Sequence, residues 1–154
     1  MRSAGTPDIY PNLGKFNISY ALYPHVGDWK SQVWQEGENF NIPVAANEPP
    51  SSALAKNHAT RPEEVSFFAV EPANVSLSGM KQSEEGDELI IRLIEIEGKE
   101  TTATIALPFA AQSARRLNIL EFPLKDEPLP AMNGKAVMVK LKPNEIVTLG
   151  IKIR

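Results

Sequence analysis

The stretch Asp87–Leu107, DELIIRLIEIEGKETTATIAL, decides the fold class of this 154-residue chain. Its first half packs Leu89, Ile90, Ile91, Leu93, Ile94 and Ile96 into ten positions. A run that short, rich in β-branched residues and closed by Glu97-Gly98-Lys99, predicts a central strand buried on both faces. The second half returns with Ala103, Ile105 and Leu107 on one side and threonines on the other, the alternation of a half-exposed strand. The two runs predict a β-hairpin.

Working outward, the same period continues. Val65–Val70 predicts a strand stopped at Pro72. Val75, Leu77 and Gly79 alternate with Ser76 and Ser78. Glu84, Glu85 and Asp87 flank Gly86 in a loop. Ala114–Phe122 predicts a further strand. Lys135–Leu141 places Val137, Val139 and Leu141 on one side, Pro143-Asn144 turns the chain, and Val147, Leu149, Ile151 and Ile153 point inward again. Strands recurring about every ten residues, with turn signals between them, predict an antiparallel β-sandwich over residues 65–154. Residues 47–64, NEPPSSALAKNHATRPEE, carry no period and read as a linker.

Residues 1–46 read as an arm of one strand and one short helix. Phe16, Ile18, Tyr20 and Leu22 share one side of an extended strand over Lys15–Leu22, with Tyr20 inward. The strand stops at the corner Tyr23-Pro24-His25-Val26-Gly27-Asp28-Trp29. Asp28 is placed to cap a helix whose stripe holds Trp29, Val33, Gly37 and Phe40, with Trp34 beside it. One strand and one helix cannot bury their own apolar face.

Composition narrows the function classes. The net charge is −3 and the densest basic cluster is Arg115-Arg116, so nothing points to nucleic acid or an anionic membrane. No apolar run approaches the roughly 18 residues of a membrane span. With no cysteine there is neither a disulfide nor a thiolate metal site, which fits a cytoplasmic protein. Thirteen prolines and nine glycines punctuate short strands better than long helices.

A complete active site is not legible. Only His25 and His58 offer imidazole, too few for zinc, so we expect no metal ligands and no catalytic residues in this chain. Glu95 and Glu97 fall on one strand face about 6.5–7 Å apart by strand rise, but carboxylates beside a turn are ordinarily solvated. His25 and Asp28 lack a serine in a nucleophile turn. The contact candidates are Tyr23, His25, Asp28, Trp29 and Trp34. Each has two readings: ligand or interface contact at a rigid corner, or local packing, with His25 bonded to a carbonyl and both tryptophans pinning the helix. Arg92, inside an apolar strand, calls for a carboxylate partner, with Glu95 or Glu121 in reach.

Four segments together resemble one family: YALYPHVGDW at 20–29, SFFAVEPANVSLSGMKQSEEGDELIIRLIEIEGKETTATIAL at 66–107, ARRLNILEFPL at 114–124 and LKPNEIVTL at 141–149. They are similar to the C-terminal end of glycoside hydrolase family 38, the α-mannosidases. There a Tyr-x-Leu-x-Pro-His-x-Gly-Asp-Trp corner closes a large middle sandwich and a small sandwich ends the protein. Where the family has Asp-x-Gly-x-His ahead of the first strand, this chain reads Asn12-Leu13-Gly14-Lys15-Phe16. The resemblance implies an accessory piece: residues 1–46 the tail of the middle sandwich, residues 65–154 the terminal one. It implies no cofactor here, the family's zinc lying in a catalytic barrel absent from these residues. Its implied partners are that catalytic portion, or a second copy, and mannose-containing glycans. The alternatives are a free-standing carbohydrate-binding module and a protein-interaction sandwich unconnected with sugars.

Overall fold

The structure, a computed structural model, describes residues 15–30, 32–42, 44–45, 64–84 and 86–153. Among these residues it is all-β apart from one helix, and the chain divides into two units, Met1–Asn47 and Glu48–Arg154. The predicted linker at 47–64 lies outside the described residues except for Glu64.

The second unit is a sandwich of two four-stranded antiparallel sheets. Its strands are β1 (Ala69–Glu71), β2 (Val75–Gln82), β3 (Glu88–Glu95), β4 (Thr101–Ala106), β5 (Ala111–Leu117), β6 (Ala131–Asn133), β7 (Ala136–Leu141) and β8 (Ile146–Ile153). One sheet runs β1-β4-β7-β6 and the other β2-β3-β8-β5. Cross-strand partners Leu93↔Val147 and Ile91↔Leu149 face inward from one sheet, Ile105↔Val137 and Ala103↔Val139 from the other. All are buried and form one core with Val75, Leu141 and Ile151. Burying each large aliphatic side chain is worth about 1.5–3 kcal/mol, so this shared layer dominates what holds the sheets together.

The predicted hairpin between the runs of Asp87–Leu107 is corrected by the topology. β3 pairs with β2 and β8, whereas β4 pairs with β1 and β7. The Glu97-Gly98-Lys99 turn therefore carries the chain from one sheet to the other. The cause is Glu95, whose carboxylate lies inside the corner and binds the turn's amides, bending the chain across the core instead of back along β3. The Pro143-Asn144 turn between β7 and β8 also changes sheets. The true hairpins are β2–β3, around Gly86 at φ 84°, and β6–β7, around Asn133-Gly134 with Gly134 at φ 59°. Asn-Gly is the strongest short hairpin signal, and it marks β6, a strand not among those predicted above.

Two predicted strands change bounds. Val65–Val70 shortens to β1, and Ala114–Phe122 shifts to β5 because Asn118 closes a tight loop (below). Arg92 has neither predicted carboxylate partner. It donates to the Thr148 hydroxyl at 3.2 Å and to the Ile119 carbonyl at 3.4 Å. Glu95 is engaged within the corner and Glu121 pairs with Lys81 at 2.8 Å.

In the first unit the helix α1 spans Val33–Asn41 and buries no residue. The strand expected over Lys15–Leu22 is not formed: no ladder among the described residues includes it. Strand geometry persists only with a hydrogen-bonded neighbour, and no described segment supplies one. Phe16, Ile18, Tyr20 and Leu22, expected on a buried side, are 54%, 77%, 85% and 89% exposed.

Candidate functional site

The corner after Leu22 is built from local turn chemistry. Gly27 takes φ 88°, open to glycine without strain. Asp28 does not cap the helix as expected. Its Oδ1 accepts the Lys30 N–H at 2.9 Å, a local turn two residues long. Gln32, at φ 67°, precedes α1, so the helix starts four residues later than the Asp28 cap would place it. Trp29 consequently leaves the helical stripe. It is exposed, with Lys30 Nζ 5.8 Å from its ring centroid. Trp34, inside α1, is half-buried.

Tyr23 and His25 are brought together. Their rings stack at 6.0 Å between centroids and 17° between planes. They border a cleft of about 710 Å³ that α1 closes with Val33, Glu36, Asn39 and Phe40. An exposed aromatic pair, a carboxylate and an amide at one opening can hold a ligand with one apolar face and several hydroxyls, or a loop of another polypeptide. Asp28, Trp29 and Trp34 are not among the residues lining it.

The sandwich holds a second polar centre, which sequence reasoning treated as solvated. Glu95 is 1% exposed. Its Oε1 accepts the Asn74 amide at 2.8 Å and the Glu97 N–H at 2.9 Å. Its Oε2 accepts the N–H groups of Gly98, Lys99 and Asn144 at 2.8, 3.0 and 2.9 Å. Burial pushes the carboxyl up, but the Asn144 N–H, the Asn74 amide and the Glu97 and Lys99 N–H groups outweigh it and hold the pKa at about 2. Such a carboxylate stays ionised and fully bonded, so it is a structural anchor and neither a proton donor nor a nucleophile. Glu97, its supposed partner, pairs with Lys99. Apolar character on both sides of this position hid the burial; an acidic residue closing an otherwise apolar strand just before a glycine turn was the available signal.

Arg116 was also missed. It is buried at the sheet edge, donates to Glu145 at 3.1 Å and Glu127 at 3.4 Å, and bonds the Lys140 carbonyl. It borders a cavity of about 300 Å³ roofed by Pro128, Leu129 and Pro130. The cavity is mainly apolar and Arg116 already faces two carboxylates, so it carries no evident chemistry. Among the described residues no three His, Cys, Asp or Glu side chains are placed to hold a metal ion. Nor does any helix among them have the length and apolarity to cross a membrane.

Comparison with known proteins gives one family and a consistent set of relatives. Residues 74–149 match the glycosyl hydrolases family 38 C-terminal beta sandwich domain. The chain is 30% identical over 127 residues to human alpha-mannosidase 2C1, a match covering 80% of this chain and 12% of that protein. It is 27% identical over 125 residues to alpha-mannosidase G of Dictyostelium discoideum, covering 79% of this chain and 11% of that one. Mouse alpha-mannosidase 2C1 is 28% identical over 125 residues, again 79% and 11%. The chain thus spans about a tenth of the length of the relatives it matches.

Proposed function

Because its sandwich belongs to the glycosyl hydrolase family 38 C-terminal β-sandwich domain, we propose that this chain is a non-catalytic accessory part of an α-mannosidase. In this reading its work is to dock against the catalytic portion and stiffen it, and the reacting carboxylates and zinc belong to that portion. The carrying observation is that Phe16, Ile18, Tyr20 and Leu22, a row on one side if this stretch is extended as a strand, are each more than half exposed and belong to no ladder among the described residues. Four such residues, at about 1.5–3 kcal/mol each on burial, are of the size needed to offset an association cost of roughly 4–15 kcal/mol. A partner sheet offering an edge would complete the strand and cover that row. The compartment that suits this reading is the cytoplasm, since a chain without cysteine needs no oxidising environment.

The test is co-expression with the barrel-bearing portion of an α-mannosidase from the same genome. The expected result is a stoichiometric complex, with no turnover of an aryl α-mannoside by this chain alone. Turnover by the pure chain with zinc bound, or failure of the two to co-purify, overturns the proposal. A second copy in place of the catalytic portion would appear as a concentration-dependent dimer in sedimentation.

A second reading is favoured by the stacked Tyr23–His25 pair beside Glu36 and Asn39: the cleft takes a mannose-containing glycan. Titration with mannose oligomers, followed by the His25 ring protons in NMR, distinguishes it. No shift up to millimolar sugar removes it.

A further inference from the structure

We infer that the loop Asn118–Leu124 on the sandwich is a preformed apolar knob that inserts into a recess on the part of an α-mannosidase polypeptide lying outside this chain; this rests on the accessory reading above and adds a second contact to it. The loop is ordered by polar atoms turned inward. Asn118 Oδ1 accepts the N–H groups of Leu120 and Phe122, both at 2.9 Å. The backbone closes with Asn118 N–H to the Phe122 carbonyl at 2.9 Å and Glu121 N–H to the Asn118 carbonyl at 3.0 Å. Leu124 N–H returns to the Arg116 carbonyl of β5 at 3.1 Å.

Two charged side chains fix the loop to the sheet. Arg92, on the outer face of β3, reaches the Ile119 carbonyl, and Lys81 of β2 pairs with Glu121. Beneath it Ile90 and Leu117 are buried. The outward surface is the reverse: Ile119, Leu120 and Phe122 are 70%, 71% and 62% exposed. A loop with satisfied polar groups inside and large apolar groups in water is the inverse of the usual arrangement. Lys125 and Asp126 follow as an exposed polar rim.

The chemistry of the surface selects the occupant. Lys81, Glu121 and Arg92 already have partners within the sandwich, so the knob presents no free charge to an anion and no flat aromatic row to a glycan. It asks for an apolar recess. In the relatives the matched region is 11–12% of the protein, so a sandwich of this kind occurs joined to a much longer mannosidase polypeptide that can supply one. Because the loop is already rigid, little ordering entropy opposes its insertion.

The test places a photo-crosslinking amino acid at Leu120 in the full chain, with Met132 on β6 as the control position. The protein is co-expressed with the barrel-bearing portion from the same genome. Crosslinks to that portion from position 120, and none from 132, are expected. The pair Leu120→Asp and Phe122→Asp should weaken association at least ten-fold while leaving the urea midpoint of the free chain unchanged. Asn118→Ala, which keeps every apolar residue but loosens the turn, should weaken it less. If the two proteins co-purify while position 120 stays silent or the double variant binds normally, the knob is refuted and the accessory reading stands. Crosslinks to a second copy of this chain refute it as well. If they do not co-purify, the accessory reading falls and takes the knob with it.

Discussion

The Glu95 carboxylate accepts the Asn144 N–H at 2.9 Å and thereby joins the two turns that carry the chain between sheets. The same oxygen holds Gly98 and Lys99, so β3–β4 and β7–β8 change sheets around one anion. Gly98 sits against the Asn144 side chain: a Cβ on it would lie 3.4 Å from the amide nitrogen.

Removing that anion should be costly. Glu95→Ala leaves four N–H groups and the Asn74 amide without their acceptor, inside the corner. Each buried unsatisfied group costs about 1–3 kcal/mol and relaxation recovers part, so a loss of at least about 3 kcal/mol in urea denaturation is expected. Glu95→Gln keeps one acceptor oxygen and should fall between wild type and Ala. Equal stability of all three would show that the corner is held by packing alone.

Acid should act through the same residue. Free in an unfolded chain, the carboxyl takes up its proton near 4.5; folded, near about 2. Its contribution is therefore complete above pH 4.5 and is lost as pH falls towards 2. A gap of that size corresponds to roughly 3 kcal/mol. Urea midpoints measured from pH 6 to pH 2 should drop steeply below 4.5 in the wild type and more shallowly in Glu95→Gln.

Gly150 in β8 is a steric prediction. A Cβ there would lie 2.8 Å from Glu88 Oε2 and 3.0 Å from Leu117 Cδ1. Glu88 is tied to Arg115 at 2.9 Å and Leu117 is buried, so neither moves freely. Gly150→Ala should destabilise by about 1–3 kcal/mol, the range for overpacking, and Gly150→Val by more. A calorimetric melt reads both, and an unchanged Tm for Ala would show that Glu88 swings aside.

The arm should behave in the opposite way. Ile18→Asp and Leu22→Asp alter side chains that are in water, so the melting of the free chain should shift by no more than about 0.5 kcal/mol. Binding of the catalytic portion should fall by more than ten-fold, read by calorimetric titration. A destabilised free chain with normal binding would place these residues in an internal contact instead.

How far the sequence carried differs between the two units. In the sandwich, alternation at Ala103, Ile105, Val137, Val139, Val147 and Leu149 placed every one of those side chains in the core. Periodicity reports which face is buried, and a two-sheet core imposes that locally. It does not report which strands pair, because that choice rests on Glu95, a polar residue whose partners include an amide N–H 49 positions away. In the arm the same alternation at Phe16–Leu22 described a strand, yet a strand is a property of two segments and only one is among the described residues. At the corner, five side chains were candidates without any pairing among them, and the stacking of Tyr23 on His25 across Pro24 emerges only in the structure. Asp28, Trp29 and Trp34 do not line the cleft beside that pair, and the helix cap lies at Gln32 instead of Asp28.

β8 has a place in its sheet that matters for biosynthesis. It lies between β3 and β5, hydrogen-bonded along both sides, although it follows both of them in chain order. Until the ribosome has released residues 146–153, β2-β3 and β5 have no common seam and the inner face of one sheet stays open to water. The sheet β1-β4-β7-β6 can pair without β8, but the two-sheet core cannot close before it, so protease resistance during synthesis should rise only once residues 146–153 have emerged.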